Sequence, residues 1–172
     1  MAIGFARLSC WSGRSCALAM SFSALAIGLA AVILASTLRL EACHLCIFQR
    51  LVYFMVGAAL MAAFFFWNIS LIRTILLAAS TGFSGWGLSV AAQQSWLQWF
   101  PESGLTCTIV EPGVTERLID WLGHISPLFF MATGNCGSKD LVILGWSLAN
   151  WSFVMMLVFL FASFCLLLQK IK

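Results

Sequence analysis

The chain has 172 residues, 62% of them hydrophobic and only 9% charged, with a mean hydropathy of +1.01. So little polar surface cannot cover a water-soluble core, and lipid must solvate most of the molecule. The formal net charge of +3 is small and the cations are scattered, which argues against nucleic acid as a partner.

Residues 17–38 run without a charge and are long enough to cross the hydrocarbon, which takes about 20 helical residues. Arg7 and Arg14 precede this span, but the apolar core of a cleaved signal peptide would be only about 7–15 residues long. A lipoprotein anchor at Leu40-Glu41-Ala42-Cys43 is disfavoured by Glu41 and by the spans that follow. A short segment, 39–47, carries Cys43-His44-Leu45-Cys46. It leads into a second span at 48–67, with Arg50 at the interface, and a tight turn at 68–73.

The third span is expected at 74–92. In it Thr81, Gly85 and Ser89 recur every four residues, a spacing that lets a neighbouring helix come close. From 93 to 145 the composition turns polar and takes in most of the acids, all three prolines and two cysteines. Within that stretch Val114, Leu118, Trp121, Leu122 and Ile125 mark one face of a short helix, opposite Thr115, Glu116, Arg117 and Asp120. Such a helix either lies in the headgroup region or packs on the bundle. The fourth span is expected at 146–168. The fold expected is an all-α membrane protein: a four-transmembrane-helix bundle, one integral domain over 1–172, with a long periplasmic loop carrying a short interfacial helix.

Arg7, Arg14, Arg73, Lys170 and Lys172 fall on one side of these spans with no acid among them, whereas the long loop holds Glu102, Glu111, Glu116, Asp120 and Asp140 against Arg117 and Lys139. The positive-inside rule puts both termini in the cytoplasm. In a bacterium the expected location is the inner membrane, with Cys43, Cys46, Cys107 and Cys136 facing the periplasm, an oxidising compartment.

Three chemistries suit paired cysteines. A structural zinc site needs four ligands, commonly in two close clusters, and Cys107 and Cys136 lie far apart in sequence. Haem attachment needs histidine directly after the second cysteine, where Ile47 stands. Redox chemistry fits better. Cys46 opens the second span near the positive end of its helix with Arg50 one turn along, which makes it the better candidate for the charge-bearing sulfur. Cys107 and Cys136 are either a second redox pair or a structural staple of the loop. Two exchanging pairs would form a relay. No haem, flavin or iron–sulfur motif is present, so a lipid-soluble quinone is the economical final acceptor.

Three stretches taken together, Cys43-x-Leu45-Cys46-Ile47-x-Gln49-Arg50, Trp96-Leu97-Gln98 leading to Pro101 and Cys107, and Phe130-x-Ala132-Thr133-Gly134-Asn135-Cys136, resemble the disulfide bond formation protein B (DsbB) family over nearly the whole chain. That resemblance implies an oxidoreductase that oxidises a DsbA-like thioredoxin-fold protein of the periplasm. It also implies that Cys107 and Cys136 form the disulfide the partner attacks, with Cys107 making the mixed disulfide. Cys136 then attacks the Cys43–Cys46 disulfide at Cys43, and Cys46 and Arg50 engage the quinone, ubiquinone or menaquinone. Family members often carry histidine where this chain has Gln94, which can hydrogen-bond a quinone carbonyl but cannot donate a proton as an imidazolium would. His44 either tunes the pair or faces solvent without a role. Cys10, Cys16 and Cys165 match no family cysteine and read as small apolar residues. The competing readings are a vitamin K epoxide reductase-like quinone reductase, a membrane scaffold with purely structural disulfides, and a metal carrier using Cys43, His44 and Cys46.

Overall fold

The computed structural model describes residues 13–39, 43–100, 114–125, 134, 142–143 and 145–171. Four long apolar helices dominate it: α1 (Gly13–Thr37), α2 (His44–Phe65), α3 (Ser70–Trp99) and α5 (Leu148–Ile171). Each is long and apolar enough to cross a membrane. A shorter α4 (Val114–Ile125) and a two-stranded ribbon, β1 (Val142–Ile143) and β2 (Trp146–Ser147), complete the described elements.

Local chemistry sets the helix ends. Arg39, in the left-handed region at φ 49°, follows the end of α1. Cys43 caps α2, its sulfur accepting the Cys46 N–H at 3.4 Å. The α2–α3 turn is fastened by Arg73, whose guanidinium donates to the Trp67 carbonyl at 3.0 Å and lies over the Trp67 ring at 4.9 Å. Arg14 lies over Phe64 at the same end of the bundle.

Two of the helices do not coincide with the spans expected. α3 continues to Trp99 rather than stopping near Ala92, about two further turns. Gln94, Leu97 and Gln98 are buried along that extension, so packing, not hydropathy, carries the helix onward. Trp146 and Ser147, expected inside the fourth span, belong instead to the antiparallel ribbon, where Val142 pairs with Ser147 and Ile143 with Trp146. The ribbon turns at Gly145, whose φ of 81° favours glycine. Ser147 then accepts the Asn150 N–H at 3.4 Å and so caps α5, while its hydroxyl donates to Gln98 Oε1 at 2.6 Å and ties α5 to α3.

α1 packs on α2, α2 on α3 and α3 on α5, whereas α1 and α5 meet only sparsely. Val56, Leu60, Ala63, Leu77 and Met156 are fully or almost fully buried at the centre. The small residues that admit close approach on α3 are Ser80, Ser84, Gly87 and Ala91, all buried. They are not Thr81, Gly85 and Ser89. A methyl group at Gly87 would come within 2.9 Å of both Met156 Sδ and Val52 Cγ1, whereas at Gly85 it would meet only Leu160, at 3.8 Å. The buried small residues are spaced four, three and four apart, on a face rotated from the one that Thr81, Gly85 and Ser89 mark. Buried hydroxyls cross the bundle: Ser21 donates to the Gly57 carbonyl at 2.7 Å, and Ser80 and Ser163 are 3.1 Å apart.

α4 packs against α2. Its central anchor is Ile119, fully buried, with Leu118 and Leu122 partly buried beside it, while Trp121 is 61% exposed. At the start of α2, His44 Nε2 lies 3.0 Å from Asp120 Oδ1 of α4, so His44 is not a bare solvent-facing side chain.

Candidate active site

Capping by Cys43 puts Cys46 in the first turn of α2, where unpaired backbone N–H groups make the helix end positive. The two sulfurs are 3.0 Å apart, with the Cys43 thiol donating to Cys46. Cys43 is 2% exposed and Cys46 half-buried, so the second sulfur is the more reachable.

From α3, Gln94 Nε2 lies 2.9 Å from the Cys46 sulfur and 3.6 Å from that of Cys43. Its Oε1 accepts from Gln49 Nε2 at 2.7 Å, and both glutamines are buried. The two amides thus form a chain from α2 through α3 to the dithiol.

Beside Cys46 lies a cavity of about 300 Å³. Cys46, Gln49, Arg50 and Tyr53 form one of its walls, a spacing of i, i+3, i+4 and i+7 that puts all four on one face of α2. Ile27 and Leu34 of α1 and Trp151 and Met155 of α5 contribute apolar surface, and Gln94 closes the α3 side. Deeper in, the Tyr53 hydroxyl lies 3.2 Å from Ser152 Oγ and donates to the Ser152 carbonyl at 3.4 Å. An apolar chamber of this size with a few convergent polar groups has the character of a small-molecule site.

Cys43, Cys46, Arg50 and Gln94, all singled out from the sequence, therefore come together. Cys107 and Cys136 lie outside the described residues. Gln49, Tyr53, Ser152 and Asp120 were not foreseen as site residues. Tyr53 carried a legible signal, being the chain's one tyrosine, two turns from Cys46 on the same helical face. Cys165 sits at the far end of α5, away from this site. Cys16 of α1 is disulfide-bonded, which corrects its reading as a small apolar residue. Among the described residues no three His, Cys, Asp or Glu side chains converge as metal ligands.

A family model described as "Disulfide bond formation protein DsbB" matches residues 13–166. The chain belongs to the DsbB family. It is 45% identical over 128 residues to "Disulfide bond formation protein B" of Dechloromonas aromatica, which covers 73% of this chain and 76% of that relative. Proteins of the same name from Acidovorax sp. and Albidiferax ferrireducens are each 35% identical, over 134 and 135 residues. These cover 70% and 77% of this chain and 67% and 75% of the relatives. Membership of the DsbB family makes this chain a protein-disulfide oxidoreductase of disulfide bond formation, built as a multi-pass membrane protein.

Proposed function

We propose that the protein oxidises the dithiol of a DsbA-like thioredoxin-fold partner in the periplasm and passes the electrons, through Cys107–Cys136 and then Cys43–Cys46, to a membrane quinone. The observation that carries this reading is the Cys46 sulfur on the wall of an apolar cavity with Arg50 one turn away. A scaffold with structural disulfides has no need of a reachable sulfur beside such a chamber.

Each exchange conserves electrons. A partner thiolate attacks the Cys107–Cys136 disulfide at Cys107, and the mixed disulfide resolves when the partner's second thiol attacks, leaving an oxidised partner and two reduced loop cysteines. Cys136 attacks Cys43 of the Cys43–Cys46 disulfide and expels Cys46 as thiolate. Closure of the Cys107–Cys136 bond then leaves Cys43 and Cys46 holding the electron pair. A quinone, ubiquinone or menaquinone, supplies a two-electron, two-proton acceptor when bound. Cys46 faces it, and Arg50 sets a fixed positive charge where negative charge accumulates. The leaving sulfur is a good one because the helix end and its hydrogen-bond donors lower the cost of the thiolate. The apolar walls from α1 and α5 keep water from the reacting groups. The inner membrane, with cytoplasmic termini and periplasmic cysteines, is the location consistent with this route and with the distribution of cations.

The test mixes the purified protein with a reduced thioredoxin-like periplasmic partner and a soluble quinone and follows quinone absorbance. Quinone loss is expected with the parent chain and is abolished in Cys46→Ser. Quinone loss that survives Cys46→Ser overturns the route.

A further inference from the structure

We propose that Gln49 is a positioning residue that locks the Gln94 amide with its N–H groups on the Cys46 sulfur, so that Gln94 serves the thiolate and gives neither N–H to a quinone carbonyl. This rests on Cys46 being the charge-bearing sulfur of the proposed relay. It revises the expectation that Gln94 reaches a quinone carbonyl.

A glutamine side chain has one acceptor oxygen and two N–H donors. On Gln94 all three are in use: Oε1 takes the Gln49 Nε2 hydrogen at 2.7 Å, and Nε2 faces Cys46 at 2.9 Å and Cys43 at 3.6 Å. Turning the Gln94 amide over would set its NH₂ against the NH₂ of Gln49, two donors with no acceptor between them. Only a joint flip of both amides restores their bond, and that flip points an oxygen at the sulfurs. An oxygen tolerates a thiol that can donate to it but repels a thiolate. The orientation of the glutamine pair and the charge on Cys46 are therefore coupled, and the present orientation is the one a thiolate selects.

The pair is buried, so its hydrogen bonds are not shared with water. Neither amide titrates, so the donor persists at every pH at which the protein is folded. The charged or titratable groups around Cys46 are the capping Cys43, His44, Arg50 and, two turns along the cavity wall, Tyr53 of α2 and, opposite His44, Asp120 on α4. Among the described residues α1, α3 and α5 present none to it.

The experiment uses the full chain in detergent, reduced and without quinone. The pH midpoint of alkylation at Cys46 is read by mass spectrometry of that residue. Gln94→Ala is expected to raise the midpoint by about one pH unit or more, the size of a hydrogen bond to a charged acceptor. Gln49→Glu is nearly isosteric but exchanges a donor for an acceptor. It draws the Gln94 N–H groups to itself and turns the Gln94 oxygen toward the sulfurs, so the midpoint should rise at least as far. Gln49→Leu keeps the volume and removes only the lock, and its midpoint should fall between the parent and Gln49→Glu.

A merely structural role predicts no rise in Gln94→Ala or Gln49→Leu, neither of which adds charge, whereas the carboxylate of Gln49→Glu raises the midpoint by its charge as well and so decides only by failing to raise it. A Gln49→Glu midpoint at or below that of the parent, or no movement in Gln94→Ala, overturns the proposal. Should Gln49→Glu fail to fold, the midpoints of Gln94→Ala and Gln49→Leu decide it alone. In parallel, the binding of a soluble ubiquinone analogue is measured in Gln94→Ala and in the parent. Lost quinone binding with an unmoved midpoint would make Gln94 a quinone ligand and overturn the proposal. If the parent itself binds no quinone, the proposed function fails while the order of midpoints still decides the lock.

Discussion

Four groups favour negative charge on a single sulfur atom: the open end of α2, the Cys43 thiol at 3.0 Å, the Gln94 amide at 2.9 Å and Arg50 one turn down. His44 adds a fourth side chain in a different way. Its 3.0 Å contact with Asp120 joins the turn that carries both cysteines to a loop helix. An exposed pair of this kind is worth about 0.2–1 kcal/mol and is screened by salt. Asp120→Ala is therefore expected to speed amide hydrogen exchange across Val114–Ile125 by up to about fivefold at low salt. The difference should vanish at high salt, and equal exchange at both ionic strengths would show that α4 is held by Ile119 alone. Cys43, Cys46 and Arg50 were legible in the sequence because spacing along one helix fixes their relation. Gln49 was not, because a buried glutamine is identified only by what faces it, and its partner Gln94 lies 45 residues away on another helix.

At the scale of the helices, the sequence indicated four apolar helices and the amphipathic α4 but not how far α3 runs, where α5 begins or which face α3 turns to its neighbours. Hydropathy reports how long a stretch can sit in lipid. It does not report that Gln94 and Gln98 are buried against neighbours and so extend α3 to Trp99. Nor does it choose between two faces of α3 that are both rich in small residues. The choice shows in the glycines. Gly87→Ala is expected to destabilise the bundle by about 1–3 kcal/mol, because Met156 and Val52 already occupy the space its methyl group would need. Nothing lies within 4 Å of a methyl group at Gly82, and Gly82→Ala is expected to be neutral or to stabilise by up to about 1 kcal/mol. Denaturation midpoints in mixed micelles compare the two, and equal effects would contradict the packing of α3 on α5.

For the whole molecule, composition alone pointed to a membrane protein, and the number of spans follows from counting uncharged runs. An even number of crossings puts both ends of the chain on the same side. In the orientation proposed above that side is the cytoplasm, which takes Arg7, Arg14, Arg73, Lys170 and Lys172. A reporter enzyme that works only in the periplasm should be inactive when fused after Lys172 and active when inserted between residues 125 and 142, and the reverse pattern would overturn the orientation. What no residue count shows is the order of contacts around the ring, in which α1 and α5 form the one loosely joined seam among the long helices.

The cavity beside Cys46 lies along that seam, with Ile27 and Leu34 on one flank and Trp151 and Met155 on the other. A hydrophobic reactant reaching Cys46 sideways through the seam never leaves the bilayer. Its supply is then measured in molecules per lipid, not in moles per litre of buffer. On the proposed route saturation would follow surface dilution: at a constant total amount of reactant, added phospholipid or detergent would empty the chamber, and a membrane crowded with carrier would fill it however little of that carrier is dissolved in water.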